Sequence, residues 1–134
     1  TLDGVNYYND SKATNTDSAI KALEAFDGHI ILIAGGDDKL TDLGEFMELV
    51  HARVDELILV GDAAERFAAA ARDAGIPEAQ IHRVGYHMEK AVQLARELAV
   101  EGQIVLLSPA CASFDMYSGY EERGRDFKRL VNEL

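Results

Sequence analysis

The chain has 134 residues with 13 Lys and Arg against 24 Asp and Glu, so its formal net charge is −11 at pH 7. This length predicts one compact domain, and the negative charge disfavours nucleic acid and anionic membranes as partners. No apolar run approaches the roughly 18 residues of a membrane-spanning helix. The single cysteine, Cys111, excludes a disulfide within the chain. With no signal-peptide pattern, we expect a cytoplasmic protein and a monomer.

Short apolar runs alternate with stretches of helical periodicity along the chain. In chain order the runs cover residues 5–8, 30–34, 57–60, 81–84 and 104–107. The second, third and fifth are continuous and mostly branched aliphatic, which is typical of strands covered on both faces of a parallel sheet. The first and fourth are weaker and predict strands at the sheet edges. Five apolar stripes at helical spacing predict helices between and after the runs: Ile20, Leu23 and Phe26; Leu43, Phe46, Met47 and Val50; Ala64, Phe67, Ala68 and Ala71; Met88, Ala91, Val92 and Ala95; and Phe127, Leu130, Val131 and Leu134.

Capping signals agree with this alternation. Asp62 followed by Glu65 predicts a capping box at a helix start, and Gly75 followed by Pro77 predicts a helix end. Repeated strand-helix-strand units predict a three-layer, doubly wound α/β fold with a mostly parallel, Rossmann-like sheet in a single domain. Ligands of such folds bind beyond the carboxyl ends of the strands. The loops at those ends are therefore where function is expected.

The loop after the first strand, loop 1, covers residues 9–15 and reads Asn-Asp-Ser-Lys-Ala-Thr-Asn. One interpretation is an ordinary helix start, because these side chains cap helix N-termini in any protein. The other is an anion site, because Lys12 lies beside backbone N–H donors at that helix start. The sequence leaves both interpretations open.

Loop 2 covers residues 35–39, Gly-Gly-Asp-Asp-Lys, and loop 3 covers residues 108–115, Ser-Pro-Ala-Cys-Ala-Ser-Phe-Asp. The glycines of loop 2 allow a tight bend or close approach to a ligand, although a plain turn with solvated charges explains them equally. Neither a P-loop nor a dinucleotide-binding glycine pattern occurs. Cys111 has no nearby His, so packing is favoured over a nucleophile. The four His residues lack metal-ligand spacing, and no metal site is predicted.

The three loops, together with Glu122-Arg123-Gly124, resemble the Mur ligases of peptidoglycan synthesis. Within that family the similarity is to the ligases that add D-glutamate to UDP-N-acetylmuramoyl-L-alanine. The resemblance runs through nearly the whole chain, residues 1–134, and implies the C-terminal, cleft-closing domain of such an enzyme. It also implies that separate N-terminal and central domains bind the UDP moiety, ATP and Mg²⁺. This domain alone is expected to be inactive.

The resemblance also implies roles for individual residues. It places Thr14, Lys39, Ser113, Phe114 and Tyr120 around D-glutamate, Phe114 through its backbone. It places Asp10, Lys12 and Asn15 on the ATP side of the cleft, with Asp10 and Lys12 next to the reacting phosphate. Departures from the family pattern occur at Tyr120, where Phe is expected, at Gly119, where Asn is common, and at Asp38, where Gly is frequent. Of the implied roles, that of Tyr120 is the most affected by these differences from the family pattern.

Two alternatives remain at this point. The first is a phosphoacceptor receiver module, because Asp10, Asp37, Asp38 and Asp62 all follow predicted strands and could bind Mg²⁺. That class needs a Lys after the last strand, where this chain has Ser108-Pro109. The second is a related ligase with another acceptor, such as a folylpolyglutamate synthase or the ligase for the third peptide residue. Those enzymes usually carry a His-x-Pro version of loop 1, which differs from the sequence here.

Overall fold

The computed structural model of the protein describes residues 2–134. Its strands and helices alternate strictly along the chain, and a short 3-10 helix, Glu78–Gln80, precedes the fourth strand. The elements are β1 (Asn6–Asn9), α1 (Thr16–Glu24), β2 (Ile30–Gly35), α2 (Gly44–Arg53), β3 (Val54–Val60), α3 (Ala64–Asp73), β4 (Ile81–Arg83), α4 (Met88–Leu98), β5 (Ile104–Leu107) and α5 (Tyr120–Asn132). All five predicted strands and all five predicted helices are confirmed.

The five strands form one parallel sheet in the order β1-β5-β2-β3-β4. The two weaker apolar runs are therefore the edge strands, as predicted. Leu32 in β2 lies opposite Leu106 of β5 on one side and Leu57 of β3 on the other. Receiver domains have the order 2-1-3-4-5, in which the first strand is internal. Because β1 is an edge strand here, the topology excludes the receiver alternative.

Helices cover both faces of the sheet. Successive residues of β2 alternate between two cores: Ile30, Leu32 and Ala34 pack with the helices α1, α2 and α3, whereas Ile31 and Ile33 pack with α4 and α5. All six β2 residues are buried. A strand that is apolar on both faces reads as a continuous hydrophobic run, which is why the sequence predicted the three central strands correctly. The three-layer α/β architecture is confirmed.

The end of α3 follows the sequence prediction. Gly75 has φ +99°, a conformation that favours glycine. Its N–H donates to the carbonyl of Arg72 at 3.0 Å, and the N–H of Ile76 donates to that of Ala71 at 3.0 Å. This pair of bonds is a Schellman motif, and Pro77 follows it.

The predicted capping box at the start of α3 is wrong. The N-cap residue is Ala63, and no side chain bonds to the first turn. The carboxylate of Asp62 instead accepts a hydrogen bond from the hydroxyl of Tyr86. Glu65 pairs with Arg83 rather than reaching back to the cap. Tertiary partners thus displaced a local motif that the sequence alone favoured.

Candidate functional site

The three loops meet at the carboxyl edge of the sheet because β1, β5 and β2 are adjacent strands. Loop 3 lies in the middle and bonds to both neighbours. The N–H of Ala110 donates to the carbonyl of Ala13 in loop 1 at 2.9 Å, and the N–H of Asp37 in loop 2 donates to the carbonyl of Ala112 at 2.9 Å. Backbone bonds thus join segments that are distant in sequence.

Arg123 of α5 reinforces this junction. Its side chain is 2% exposed and donates three hydrogen bonds, to Ser11 Oγ at 2.9 Å, to the Ser11 carbonyl at 2.6 Å and to the Cys111 carbonyl at 3.0 Å. From the sequence, Arg123 is noted only within Glu122-Arg123-Gly124. Its position four residues before Phe127, on the buried stripe of α5, was the available signal.

The glycines of loop 2 allow close backbone packing. A Cβ at Gly35 would lie 2.1 Å from the carbonyl oxygen of Val60, and one at Gly36 would lie 2.5 Å from that of Ala112. Both residues also have positive φ, +113° and +133°. The close-approach interpretation is therefore correct, but the neighbour is the protein's own backbone and leaves no phosphate cradle.

In loop 1, the helix-cap interpretation is confirmed for Asn15, whose side chain accepts a hydrogen bond from the N–H of Ser18 at 2.9 Å. Asp10 is fixed by Ser108, whose hydroxyl donates to Asp10 Oδ2 at 3.2 Å. Lys12 is exposed and lines a cavity of about 330 Å³ with Tyr120. The structure therefore groups Tyr120 with Lys12.

Lys39 in loop 2 is exposed, and within residues 2–134 no acidic side chain forms an ion pair with it. Its neighbour Asp38 is already engaged, because both carboxylate oxygens accept hydrogen bonds from Arg66 at 2.8 Å. The hydrogen bonds from Arg66 lower the pKa of Asp38 below its usual value. The sequence did not predict the role of Arg66. Because Arg66 binds Asp38, the ammonium group of Lys39 remains available for a ligand.

In loop 3, Ser113 is 2% exposed and its hydroxyl has no hydrogen-bond partner among the described residues. Phe114 is 69% exposed, and Thr14 of loop 1 is half-buried. A buried hydroxyl without a partner is rare in folded proteins, because it loses its hydrogen bonds to water without replacement. The Ser113 hydroxyl is therefore a loop 3 group whose hydrogen-bonding capacity the described residues leave unused.

Asp115 at the end of loop 3 is also incompletely bonded. Its Oδ2 accepts a hydrogen bond from the N–H of Asp62 at 3.0 Å, whereas its Oδ1 is buried without a partner. Burial raises the pKa of Asp115 above its usual value, and the charges of Asp62 and Asp37 raise it further. Three carboxylates thus share this corner, but within residues 2–134 no group of His, Cys, Asp and Glu could hold a metal ion.

Cys111 is buried, and burial raises the pKa of its thiol to about 12. A thiol of that pKa carries almost no thiolate at neutral pH and cannot serve as a nucleophile. The packing interpretation of Cys111 is therefore supported.

Among the described helices, none combines the length and apolar composition needed to cross a membrane.

Comparisons with known proteins identify the family of the chain. The family described as "Mur ligase, glutamate ligase domain" matches residues 1–111. Relatives called UDP-N-acetylmuramoylalanine--D-glutamate ligase occur in Thermoanaerobacter sp. (strain X514), 49% identical, and Clostridioides difficile (strain 630), 47% identical. Each match covers 99% of this chain and 29% of the relative, so the chain spans under a third of their length. Since the family match extends over most of its residues, the chain belongs to the Mur ligase family.

Proposed function

We propose that this chain is the C-terminal domain of a cytoplasmic, monomeric ligase that uses ATP to join D-glutamate to UDP-N-acetylmuramoyl-L-alanine. The names of relatives 45–49% identical to the chain support this acceptor over the folylpolyglutamate and third-residue alternatives. The observation that carries the proposal is the convergence of loops 1, 2 and 3. They bring an unpaired lysine, a half-buried threonine and a partnerless buried serine to one edge of the sheet.

In the proposed reaction, ATP phosphorylates the L-alanyl carboxylate and the amine of D-glutamate attacks the resulting acyl phosphate. A tetrahedral intermediate then expels phosphate. The residues of this chain do not fit Mg²⁺ or a full ATP site, because the loop 2 glycines pack against backbone and no metal-ligand group occurs in residues 2–134. We therefore assign those tasks to the rest of the protein. This chain supplies the acceptor site and one wall of the cleft.

Lys39 and Ser113 are the residues best suited to hold the two carboxylates of D-glutamate. Lys39 offers a charged donor that no acid of the described chain engages, and Ser113 offers a hydroxyl that has no other partner. Thr14 and the N–H of Phe114 would add two further donors. Hydrogen bonds to carboxylates are stronger than neutral ones, so this donor set favours a dianionic amino acid. Tyr120 would then contribute from the side of Lys12.

Asp10, Lys12 and Asn15 would form the wall that faces the nucleotide. Lys12 carries a positive charge into an open cavity that Arg125 and Lys128 also line. That charge would stabilise the phosphate oxygens during transfer. Asp10 is held by Ser108 and can orient Lys12 or a phosphate-bound group. The Asn15 oxygen already caps α1, so only its amide N–H groups remain for a ligand.

The direct test measures phosphate release by the purified full-length protein with ATP, UDP-N-acetylmuramoyl-L-alanine and one amino acid at a time. We expect D-glutamate to support turnover, and L-glutamate, L-lysine and a folate acceptor to fail. Turnover with one of the other acceptors in place of D-glutamate would contradict the proposal. No nucleic acid is required in this assay.

Lys39→Ala tests the acceptor side in the same assay. We expect a loss of D-glutamate use worth about 1.5 to 3 kcal/mol, the value of one charged hydrogen bond, with little change in the KM for ATP. Lys39→Arg keeps the charge but changes the donor geometry, so it should recover part of the loss. Lys21→Ala on the exposed surface of α1 is the control. A weakened ATP affinity with an unchanged KM for D-glutamate would move Lys39 to the nucleotide side.

A further inference from the structure

We propose that Arg123 is a positioning residue for the acidic acceptor, which fixes loop 3 against loop 1 and keeps a buried positive charge beneath the two loops. This inference rests on the proposed function. It concerns a side chain that is buried under the loops, so Arg123 is not expected to touch the substrate itself.

The hydrogen bonds of Arg123 join loop 1 to loop 3, which are distant from each other in sequence. Its Nε and one terminal nitrogen donate to the hydroxyl and carbonyl of Ser11, and the other terminal nitrogen donates to the carbonyl of Cys111. Ser11 directly precedes Lys12, and Cys111 lies two residues before Ser113. A planar guanidinium with fixed donor directions therefore sets the distance between a proposed nucleotide-side residue and a proposed acceptor-side residue.

Loop 2 reaches the same point. A Cβ placed on Gly36 would lie 3.3 Å from the guanidinium of Arg123 and 3.1 Å from Cys111 Cβ. The absence of a side chain at Gly36 thus allows the guanidinium to sit where all three loops meet. The Ser11 hydroxyl completes the contact by donating to the Tyr120 carbonyl at 2.7 Å.

The charge of Arg123 has no carboxylate partner. All three acceptors are neutral, and within residues 2–134 no acid forms an ion pair with it. Arg66 shows the contrast, because Asp38 neutralises it through two hydrogen bonds. Burial lowers the pKa of Arg123 to about 10, and the charge of Asp115 acts against this from a distance. The guanidinium therefore stays charged at neutral pH.

An unpaired buried cation is costly to keep, and a chain with 24 acidic residues could have neutralised it. A positive field under the loops is useful if the ligand above them is an anion, since charge in a buried setting is weakly screened. A neutral ligand would gain little stabilisation from the same field. The arrangement therefore points to selection of an acidic acceptor, with Ser113 and Lys39 making the direct contacts.

Arg53 provides a matched control for a purely structural arginine. Its guanidinium likewise makes three hydrogen bonds, all to backbone carbonyls, those of Leu23, Glu24 and Phe26, at the amino end of the sheet. Both arginines hold backbone by hydrogen bonds to neutral acceptors. Arg53 is half-buried whereas Arg123 is 2% exposed, so stability is measured for both sets of variants. Only Arg123 adjoins the proposed site, so a change in the KM for D-glutamate that exceeds the change in the KM for ATP reports on position.

The experiment compares Arg123→Met, Arg123→Lys and Arg53→Met in the full-length protein. It measures kcat, the KM for D-glutamate and the KM for ATP, and it follows backbone hydrogen exchange in residues 9–15 and 108–115. We expect Arg123→Met to raise the KM for D-glutamate by about tenfold or more, with a smaller change for ATP. Arg123→Lys should recover part of this because it keeps the charge but loses the fork. Arg53→Met should leave both KM values unchanged.

A wild-type KM for D-glutamate in both Arg123 variants, or equal effects on D-glutamate and ATP, would overturn the inference. If Arg123→Met does not fold, Arg123→Lys decides the matter by the same comparison. If the wild-type protein does not use D-glutamate, the proposed function fails, and hydrogen exchange then tests the role of Arg123 alone. Faster exchange in residues 9–15 and 108–115 with Arg123→Lys, but not with Arg53→Met, supports the positioning role, and unchanged exchange overturns it.

Discussion

The two ends of the parallel sheet use their polar groups in opposite ways. At the amino end the side chains complete one another. Arg53 caps the last carbonyls of α1, with the shortest bond at 2.5 Å to Phe26. The side chain of Gln103 donates to Asp55 at 2.9 Å while its oxygen accepts from the N–H of Val100 at 2.9 Å. Polar groups at this end therefore have partners within the domain.

At the carboxyl end several groups are left incomplete. Among the described residues, the buried side-chain atoms without partners are Ser113 Oγ and Asp115 Oδ1, and both lie in loop 3. Within residues 2–134, neither the buried Arg123 nor the exposed Lys39 forms an ion pair with an acid. Unsatisfied groups reduce stability unless a ligand completes them. The groups with complete hydrogen bonds thus lie at the amino end, and the incomplete ones lie at the carboxyl end, where we propose that the acceptor binds.

Adding one methyl group at the carboxyl end should produce the largest loss of stability. Gly35→Ala places a Cβ 2.1 Å from the Val60 carbonyl at a φ of +113°, so the two central strands must move apart. We expect a loss above about 3 kcal/mol in the free energy of unfolding, measured by urea denaturation. Gly102→Ala is the control, because φ is also positive, +95°, but nothing lies within 4 Å. It should cost only about 1 kcal/mol, and equal losses would refute the close-approach argument.

Removing the arginine at the amino end should affect stability alone. Arg53→Met deletes the hydrogen bonds to Leu23, Glu24 and Phe26. We expect the free energy of unfolding to fall by about 2 kcal/mol, because two of the three bonds are long. The KM for D-glutamate of the full-length protein should not change. A raised KM would show that the two ends of the sheet are coupled.

Two serine substitutions should separate a bonded hydroxyl from an unbonded one. Ser108→Ala deletes a buried hydroxyl that donates to Asp10, and we expect a loss of about 1 kcal/mol. Ser113→Ala deletes a buried hydroxyl without a partner, so the free energy of unfolding should stay constant or increase. Thermal unfolding of both variants in the absence of ligand provides the measurement. A loss at Ser113 as large as that at Ser108 would mean that its hydroxyl has a structural partner.

The smallest effect concerns Asp115, whose pKa is raised in the folded state by burial and by neighbouring carboxylates. For an acid, a raised folded pKa means that its contribution favours folding at low pH and is lost as the pH rises through the folded value. Asp115→Asn keeps an acceptor for the Asp62 N–H but removes the charge. We expect a slight gain in stability at neutral pH, limited by solvent screening because the residue is partly exposed.

The control for this prediction is Asp27→Asn, on an exposed carboxylate. The stability difference between wild type and Asp115→Asn should grow as the pH rises above about 4. Subtracting the two titrations removes the contribution of the other carboxylates. A difference that shrinks over this range would show that Asp115 is stabilised, rather than destabilised, as an anion.

The strands and helices could be predicted from the sequence because burial on both faces of the sheet produces a clear hydrophobic pattern. Strands such as β2 are continuous apolar runs. Helix α3 ends at Gly75, whose positive φ favours glycine. The predicted capping box was wrong because α3 has Ala63 as its N-cap, and the Asp62 carboxylate binds Tyr86, 24 residues away. Local motifs cannot include a competitor that only the tertiary fold brings close.

The loops that form the candidate site could be predicted from the sequence, but the hydrogen bonds and ion pairs among their side chains could not. Strand order placed loops 1, 2 and 3 together, since β5 lies between β1 and β2. The pairing of Asp38 with Arg66, which leaves Lys39 unpaired, depends on the packing of α3. The burial of Arg123 depends on contacts 112 residues apart in sequence, which no local pattern encodes. These long-range contacts determine which polar groups remain for a ligand.

The most direct test of this account is the KM for D-glutamate of the full-length protein carrying Ser113→Ala, measured beside Arg53→Met. If the unsatisfied groups at the carboxyl end serve the acceptor, Ser113→Ala should raise this KM by about fivefold to tenfold without loss of folding stability. Arg53→Met should lower stability without changing the KM. A wild-type KM in Ser113→Ala would contradict the assignment of loop 3 to the acceptor and with it the contrast between the two ends of the sheet.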